Sequence, residues 1–153
     1  MSHTVAAGRS WVRAVGRRRL LVVVAAGLVP WVVVPYEVGA SLVFSFGLVN
    51  QNPLSLQPVV GYVLVRTGPL PPSLLAWPTA TVLYVLAVAS AALAAVERED
   101  RRVTAGLFAL AGLDVLYFAV AFSSVRLRVV ALPLGVALLW LAAWESLPDG
   151  WRP

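Results

Sequence analysis

Four apolar stretches dominate this chain: residues 20–36, 72–96, 103–125 and 129–147. Each is 17 to 25 residues long, and only Asp114 and Glu145 among them carry charge. A helix needs about 20 apolar residues to cross the hydrocarbon of a bilayer, within a range of roughly 17–25. Hydrocarbon offers no partner for a free backbone N–H or C=O, so helices are the economical way across. A membrane β-barrel would alternate polar and apolar residues over short segments, whereas these stretches are continuous. The expected fold class is an all-α membrane protein, one domain of four transmembrane helices. Composition agrees. Of 153 residues, 60% are hydrophobic and 12% charged, against roughly 45–50% apolar and 25% charged in a soluble domain. A chain this short has too little interior to hide the excess, and disorder requires the opposite composition.

Arginine sets the expected sidedness. Residues 1–19 form a basic tail with Arg9, Arg13, Arg17, Arg18 and Arg19, and the short loop 97–102 reads EREDRR. Placing both in the cytoplasm, with the tail 148–153, puts Arg98, Arg101, Arg102 and Arg152 inside as well, and leaves only Arg66, Arg126 and Arg128 outside. That satisfies the positive-inside rule. Arg17, Arg18, Arg19, Arg101 and Arg102 are then the cytoplasmic anchor, and the protein is expected in the cell membrane with both termini inside. The first stretch also resembles an export signal ending near Val38-Gly39-Ala40. Trp31 and Pro35 stand against cleavage, so an uncleaved first span is expected.

The segment 37–71 is the long outer connection, and it is unusually apolar. Asn50-Gln51-Asn52-Pro53 signals a turn and 42–46 reads as extended. Residues 58–66 suit a short interfacial helix, although their valines also suit a strand. Such a loop should rest on the membrane or fold back over the bundle, and it is the expected contact surface for another membrane protein. The short connections after 96 and 125 make spans two, three and four antiparallel neighbours.

Chemistry is sparse. There is no cysteine, and the one histidine is His3. Thiol chemistry and imidazole metal sites are therefore excluded, and no catalytic residue, metal or cofactor is expected. Every basic residue is arginine, which fits coding bias first and phosphate or headgroup binding second. The basic tail is too short to argue for nucleic acid. Asp114, at the centre of the third span, is the informative residue. An aspartate there costs roughly 2.5–3.5 kcal/mol on insertion scales, so it should face protein, and Tyr84 at the centre of span two is its expected hydrogen-bond partner, with Thr81 nearby. This intramembrane pair is either interhelical glue or a proton-handling site. Ala87, Ala91 and Ala95 form a small-residue stripe for close helix packing, against span three or in a homodimer. Glu145, bracketed by Trp140, Trp144 and Trp151, should reach water at the interface, and Glu37 should do so at the other surface. Pro30, Pro35, Pro78 and Pro133 interrupt spans; broken helices line some transporter sites, but proline is common in membrane helices.

Residues 17–31 (RRRLLVVVAAGLVPW), 44–50 (FSFGLVN), 74–78 (LLAWP) and 97–112 (EREDRRVTAGLFALAG) together resemble a family of small haloarchaeal membrane proteins commonly encoded beside archaeosortase A, the membrane transpeptidase of surface-protein processing. The resemblance covers most of 17–145 and brings no catalytic signature. It implies a helper role in surface-protein or lipid processing. The chain is not the sortase-like enzyme, whose nucleophile is a cysteine. The leading functional expectation is a non-enzymatic accessory or scaffold in the membrane; the alternatives are a small transporter or proton-coupled component using Asp114 and, more remotely, a lipid-modifying enzyme. The bilayer is the first expected partner, and oligomeric state stays open.

Overall fold

The computed structural model describes residues 16–65, 68–69, 71–125 and 130–153. Readings on His3, Arg9, Arg13, Arg66, Arg126 and Arg128 lie outside the described residues. The element order is α1 (Arg17–Leu28), β1 (Val32–Tyr36), β2 (Gly39–Val43), β3 (Gly47–Gln51), β4 (Leu54–Pro58), α2 (Val59–Val65), α3 (Pro72–Ala92, continued by a 3-10 turn Leu93–Val96), α4 (Arg101–Val125), α5 (Leu134–Ser146) and a last 3-10 turn Asp149–Trp151.

The expectation of an all-α protein is corrected by a four-stranded antiparallel meander in the order β1-β2-β3-β4. Among the described residues, two helices, Pro72–Val96 and Arg101–Ser124, are long and apolar enough to cross a membrane, in place of the four expected. The physical reason lies in two prolines. Pro30 disfavours α geometry in the residue before it, and Val29 is extended at φ −79°, ψ 141°. The chain then enters Val32-Val33-Val34, whose β-branched side chains suit a pleated surface. The stretch 20–36 is thus half helix and half strand. Pro133 does the same at the other end of the chain: α5 begins only at Leu134 and has 13 residues. Just before it, Leu132 pairs with Val33 through two backbone bonds, Val33 N–H to Leu132 O at 3.0 Å and Leu132 N–H to Val33 O at 2.8 Å.

Alternation along the strands separates the two faces of the sheet. Val32, Val34, Ser41 and Val43 are buried against the helices. On the opposite face Val33 pairs with Leu42, Leu42 with Val49 and Val49 with Leu56. The segment 42–46 is extended as far as Val43, the Asn50–Pro53 signal falls at the β3–β4 turn, and the short helix expected over 58–66 is α2. The Asn52–Pro53 bond is cis.

Trp31 joins the parts. It is fully buried. Its indole N–H donates to Ala26 O (2.6 Å), its backbone N–H to Val43 O (2.6 Å), and its carbonyl accepts from Gly135 N–H (3.0 Å). Its ring meets Tyr84 edge-on at 5.8 Å. Gly135 has no room for a side chain, since a Cβ there would stand 2.6 Å from Trp31 Cα. The tip of the β2–β3 turn plugs into α3: Trp77 Nε1 donates to Phe44 O (2.8 Å), Thr81 Oγ1 to Ser45 O (2.8 Å), and Ser45 Oγ to Gly27 O (2.8 Å). Every polar group of that inserted turn just named has a partner, as burial demands.

Candidate functional site

At the sheet end, the β1–β2 and β3–β4 turns surround a cleft of about 490 Å³ lined by Tyr36, Glu37, Ser41, Asn50, Gln51 and Asn52 among others. Strand register builds it. Ser41 stands opposite Asn50, and Asn50 opposite Ser55. Ser41 Oγ donates to Asn50 Oδ1 (2.5 Å) and Asn50 Nδ2 to Ser55 Oγ (3.2 Å). Gln51 Oε1 accepts from Ala40 N–H (3.1 Å) and Asn52 Nδ2 donates to Val38 O (3.4 Å), which ties the two turns together. Cross-strand polar pairs of this kind contribute roughly 0.2–1 kcal/mol each. Beneath the cleft a smaller cavity of about 140 Å³ shares Tyr36, Ser41 and Asn50 with it and is closed by aromatic residues, among them Trp77 and Phe118. Glu37 is exposed at the mouth, with no ion pair among the described residues. An amide-lined cleft with one carboxylate has hydrogen-bond capacity for a polar chain; among the described residues it contains no nucleophile–base pair.

The opposite end holds a buried polar cluster that sequence reasoning missed. Arg19 is only 5% exposed. Its Nη1 donates to Glu99 Oε2 (3.0 Å), its Nη2 bonds Glu99 Oε1, and its Nε donates to Ser146 Oγ (3.1 Å). Glu99 Oε1 also accepts from Thr104 Oγ1 (3.0 Å), which shares a 2.7 Å bond with Ser90 Oγ. Five parts of the chain thereby meet: α1, α3, the 97–100 loop, α4 and α5. The last carbonyls of α5 are capped by cations, as the helix dipole favours. Arg101 Nη2 donates to Glu145 O (3.2 Å), Arg101 Nε to Ser146 O (3.3 Å), and Arg152 Nη2 to Glu145 O (2.6 Å). The start of α4 is capped by Asp100, whose Oδ1 accepts from Arg102 N–H (2.9 Å).

Several expected roles change accordingly. Arg19 is an interior ion-pair partner and not an exposed anchor. Arg101 braces α5, while Arg17 and Arg102 are exposed. Arg18 is exposed and pairs with Glu145 at 3.0 Å. Glu145 is buried to 9% exposure rather than open to water. Tyr84 does not pair with Asp114: its hydroxyl donates to Val23 O (2.8 Å), and its ring packs on Phe108. The register explains this. Ser90 meets Thr104, so position 84 lies about one turn short of Asp114. Asp114 is half-buried, without a hydrogen bond or ion pair among the described residues. Thr81 serves Ser45. Ala87 and Ala91 are buried on α3, whereas Ala95, in the 3-10 turn, is exposed. The only signal for the Arg19 cluster in the sequence is the mixture of acids and bases in EREDRR, which a bland reading takes for a solvated loop.

Residues 2–152, nearly the whole chain, match the family described as a domain of unknown function, DUF8050. The chain belongs to the DUF8050 family. No curated protein matches it.

Proposed function

We propose that this DUF8050 protein is a multi-pass membrane protein of the cell membrane, with a non-enzymatic accessory role: it holds a second membrane protein at its sheet end. The observation that carries this reading is the cleft, rigidly braced by the Ser41–Asn50–Ser55 rung and rich in free hydrogen-bonding capacity at Glu37. The membrane placement is supported by exposure. Only 17% of the most apolar window of the 72–96 helix is buried within the protein, although a core helix of a soluble domain would be mostly covered. Val82, Val85, Leu86, Leu110, Leu113 and Val120 all stand about half exposed or more. Leaving a large apolar side chain in water instead of burying it forfeits about 1.5–3 kcal/mol.

A further crossing is composite. Helix α1 and strand β1 reach roughly 18 Å and 16 Å, together about the hydrocarbon thickness of roughly 30 Å. Non-helical backbone is tolerated at that depth only where it is covered or paired, and β1 has β2 on one edge and Leu132 on the other. With the arginine-rich 97–102 end inside, the cleft faces outward and both termini lie in the cytoplasm. The resemblance to proteins encoded beside archaeosortase A suits a partner in surface-protein processing.

Affinity capture from native membranes tests the accessory reading. The wild-type chain is expected to retain a membrane protein that Glu37→Ala with Asn52→Ala releases by tenfold or more. Capture that is indifferent to both substitutions contradicts it. One observation favours transport instead: Asp114 stands unpaired at mid-span. A relay normally has a chain of partners, and Asp114 has none among the described residues. Under the accessory reading Asp114→Asn leaves capture unchanged and alters stability by no more than about 0.5 kcal/mol. Abolition of a proton-coupled flux in reconstituted vesicles by that substitution would instead establish the transport reading.

A further inference from the structure

Where α4 meets α5, a groove of about 560 Å³ runs along the surface from Arg102 to Leu113. Its floor is made of small residues, Ala105, Gly106 and Ala109, and its walls are Trp140 and Trp144. The floor is open: no atom lies within 4 Å of where a Cβ on Gly106 would stand. The wall is fixed. Trp140 donates from its indole N–H to Ala109 O (3.3 Å) and lies over Gly112, where a Cβ would collide with the ring. At the mouth the Arg102 guanidinium stands 4.6 Å from the centre of the Trp151 ring. Arg18, Arg19 and Arg101 each face a carboxylate; Arg102 has no such partner among the described residues.

Length and charge together identify the occupant. From position 102 to 113 a helix rises roughly 16 Å, half the hydrocarbon thickness of about 30 Å and so the depth of one leaflet. Tryptophans at the mouth mark headgroup level, and a guanidinium fork there matches phosphate oxygens. Resting on the membrane reading above, we infer that this groove holds one anionic phospholipid, its phosphate on Arg102 and one acyl chain laid along Trp144 and Trp140. A second helix would fill an apolar groove as well, but would leave the free cation at its end without a counter-charge.

Native mass spectrometry of the full chain released from detergent, with equal amounts of dioleoyl phosphatidylglycerol and dioleoyl phosphatidylcholine, tests the assignment. One phosphatidylglycerol per chain is expected, retained in preference to phosphatidylcholine. Arg102→Gln lowers that preference about fivefold, the factor equivalent to about 1 kcal/mol per basic side chain at an anionic surface, and Arg102→Lys keeps most of it. Gly106→Leu fills the floor and removes retention of both lipids, with the chain still folded by circular dichroism. Equal retention of the two lipids by the wild type, or a dimer without lipid, overturns the groove assignment while leaving the membrane reading intact. A chain that stays monodisperse in buffer without detergent overturns both.

Discussion

Glu99→Ala is expected to destabilise the protein by about 3–5 kcal/mol, the usual consequence of removing one member of a buried ion pair. The side chains of Arg19 and Glu99 are 6% and 7% exposed, so the guanidinium left behind keeps Ser146 Oγ as its hydrogen-bond partner and has little water to replace the carboxylate. Arg19→Met should do comparable damage by stranding the carboxylate. The double variant Arg19→Met with Glu99→Met should sit closer to the wild type than either single, because a buried pair exchanged for apolar side chains of similar volume is often neutral. Chemical unfolding in micelles, arranged as a double-mutant cycle, reads the coupling. Additive effects, or single variants within about 1 kcal/mol of wild type, would mean that water reaches this cluster after all. The same variants should loosen α1 from α5, because Arg19 is the buried tie between them at this end, the Arg18–Glu145 pair beside it being solvent-exposed at Arg18.

The second large effect is expected at the other end of α1. Trp31→Ala should cost about 3–5 kcal/mol, the range for truncating a buried tryptophan or phenylalanine. The loss goes beyond volume. Gly27 and Gly135 lie close enough that a Cβ on either would collide, with the Tyr84 hydroxyl and with Trp31 respectively, so the surroundings are already drawn in tightly around the ring pair. With the indole gone, Ala26 O loses the donor at 2.6 Å and Tyr84 loses its edge contact. Trp31→Phe keeps the ring contact but not the N–H, and should retain about half the lost stability. Thermal unfolding followed by near-ultraviolet circular dichroism measures both variants. A Trp31→Ala protein as stable as wild type would show that the helix-to-strand junction does not hold the fold together.

How much of this architecture was legible beforehand depends on the segment. The two long helices were plain, because 72–96 has no charge, 103–125 has only Asp114, and no proline stops them: the turns of α3 continue on either side of Pro78. The stretches 20–36 and 129–147 looked alike in composition and turned out otherwise. A continuous apolar run carries no period, so helix and buried strand are indistinguishable within it. What decided between them was Pro30 before three valines, and Leu132 pairing with a strand more than ninety residues earlier, a non-local contact that no window of sequence reveals. The cleft was only partly visible: the turn at 50–53 announced itself, but the rung Ser41–Asn50–Ser55 exists only once register is set. For the ion pair, Arg19 sat in a run of three arginines whose members looked equivalent. Helix phase separates them, turning Arg19 toward Ser146 and leaving Arg17 and Arg18 exposed.

The central claim is that apolar side chains of α3 and α4 face lipid while the 37–40 tip and the 97–100 loop lie on opposite sides of a membrane. Because the chain contains no cysteine, single cysteines report this cleanly in intact cells treated with a membrane-impermeant maleimide. Val38→Cys is expected to label from outside, Arg98→Cys only after the membrane is opened, and Val85→Cys or Leu113→Cys in neither case until the protein is unfolded. Labelling of positions 38 and 98 from the same side, or of 85 and 113 in the folded protein, would contradict it.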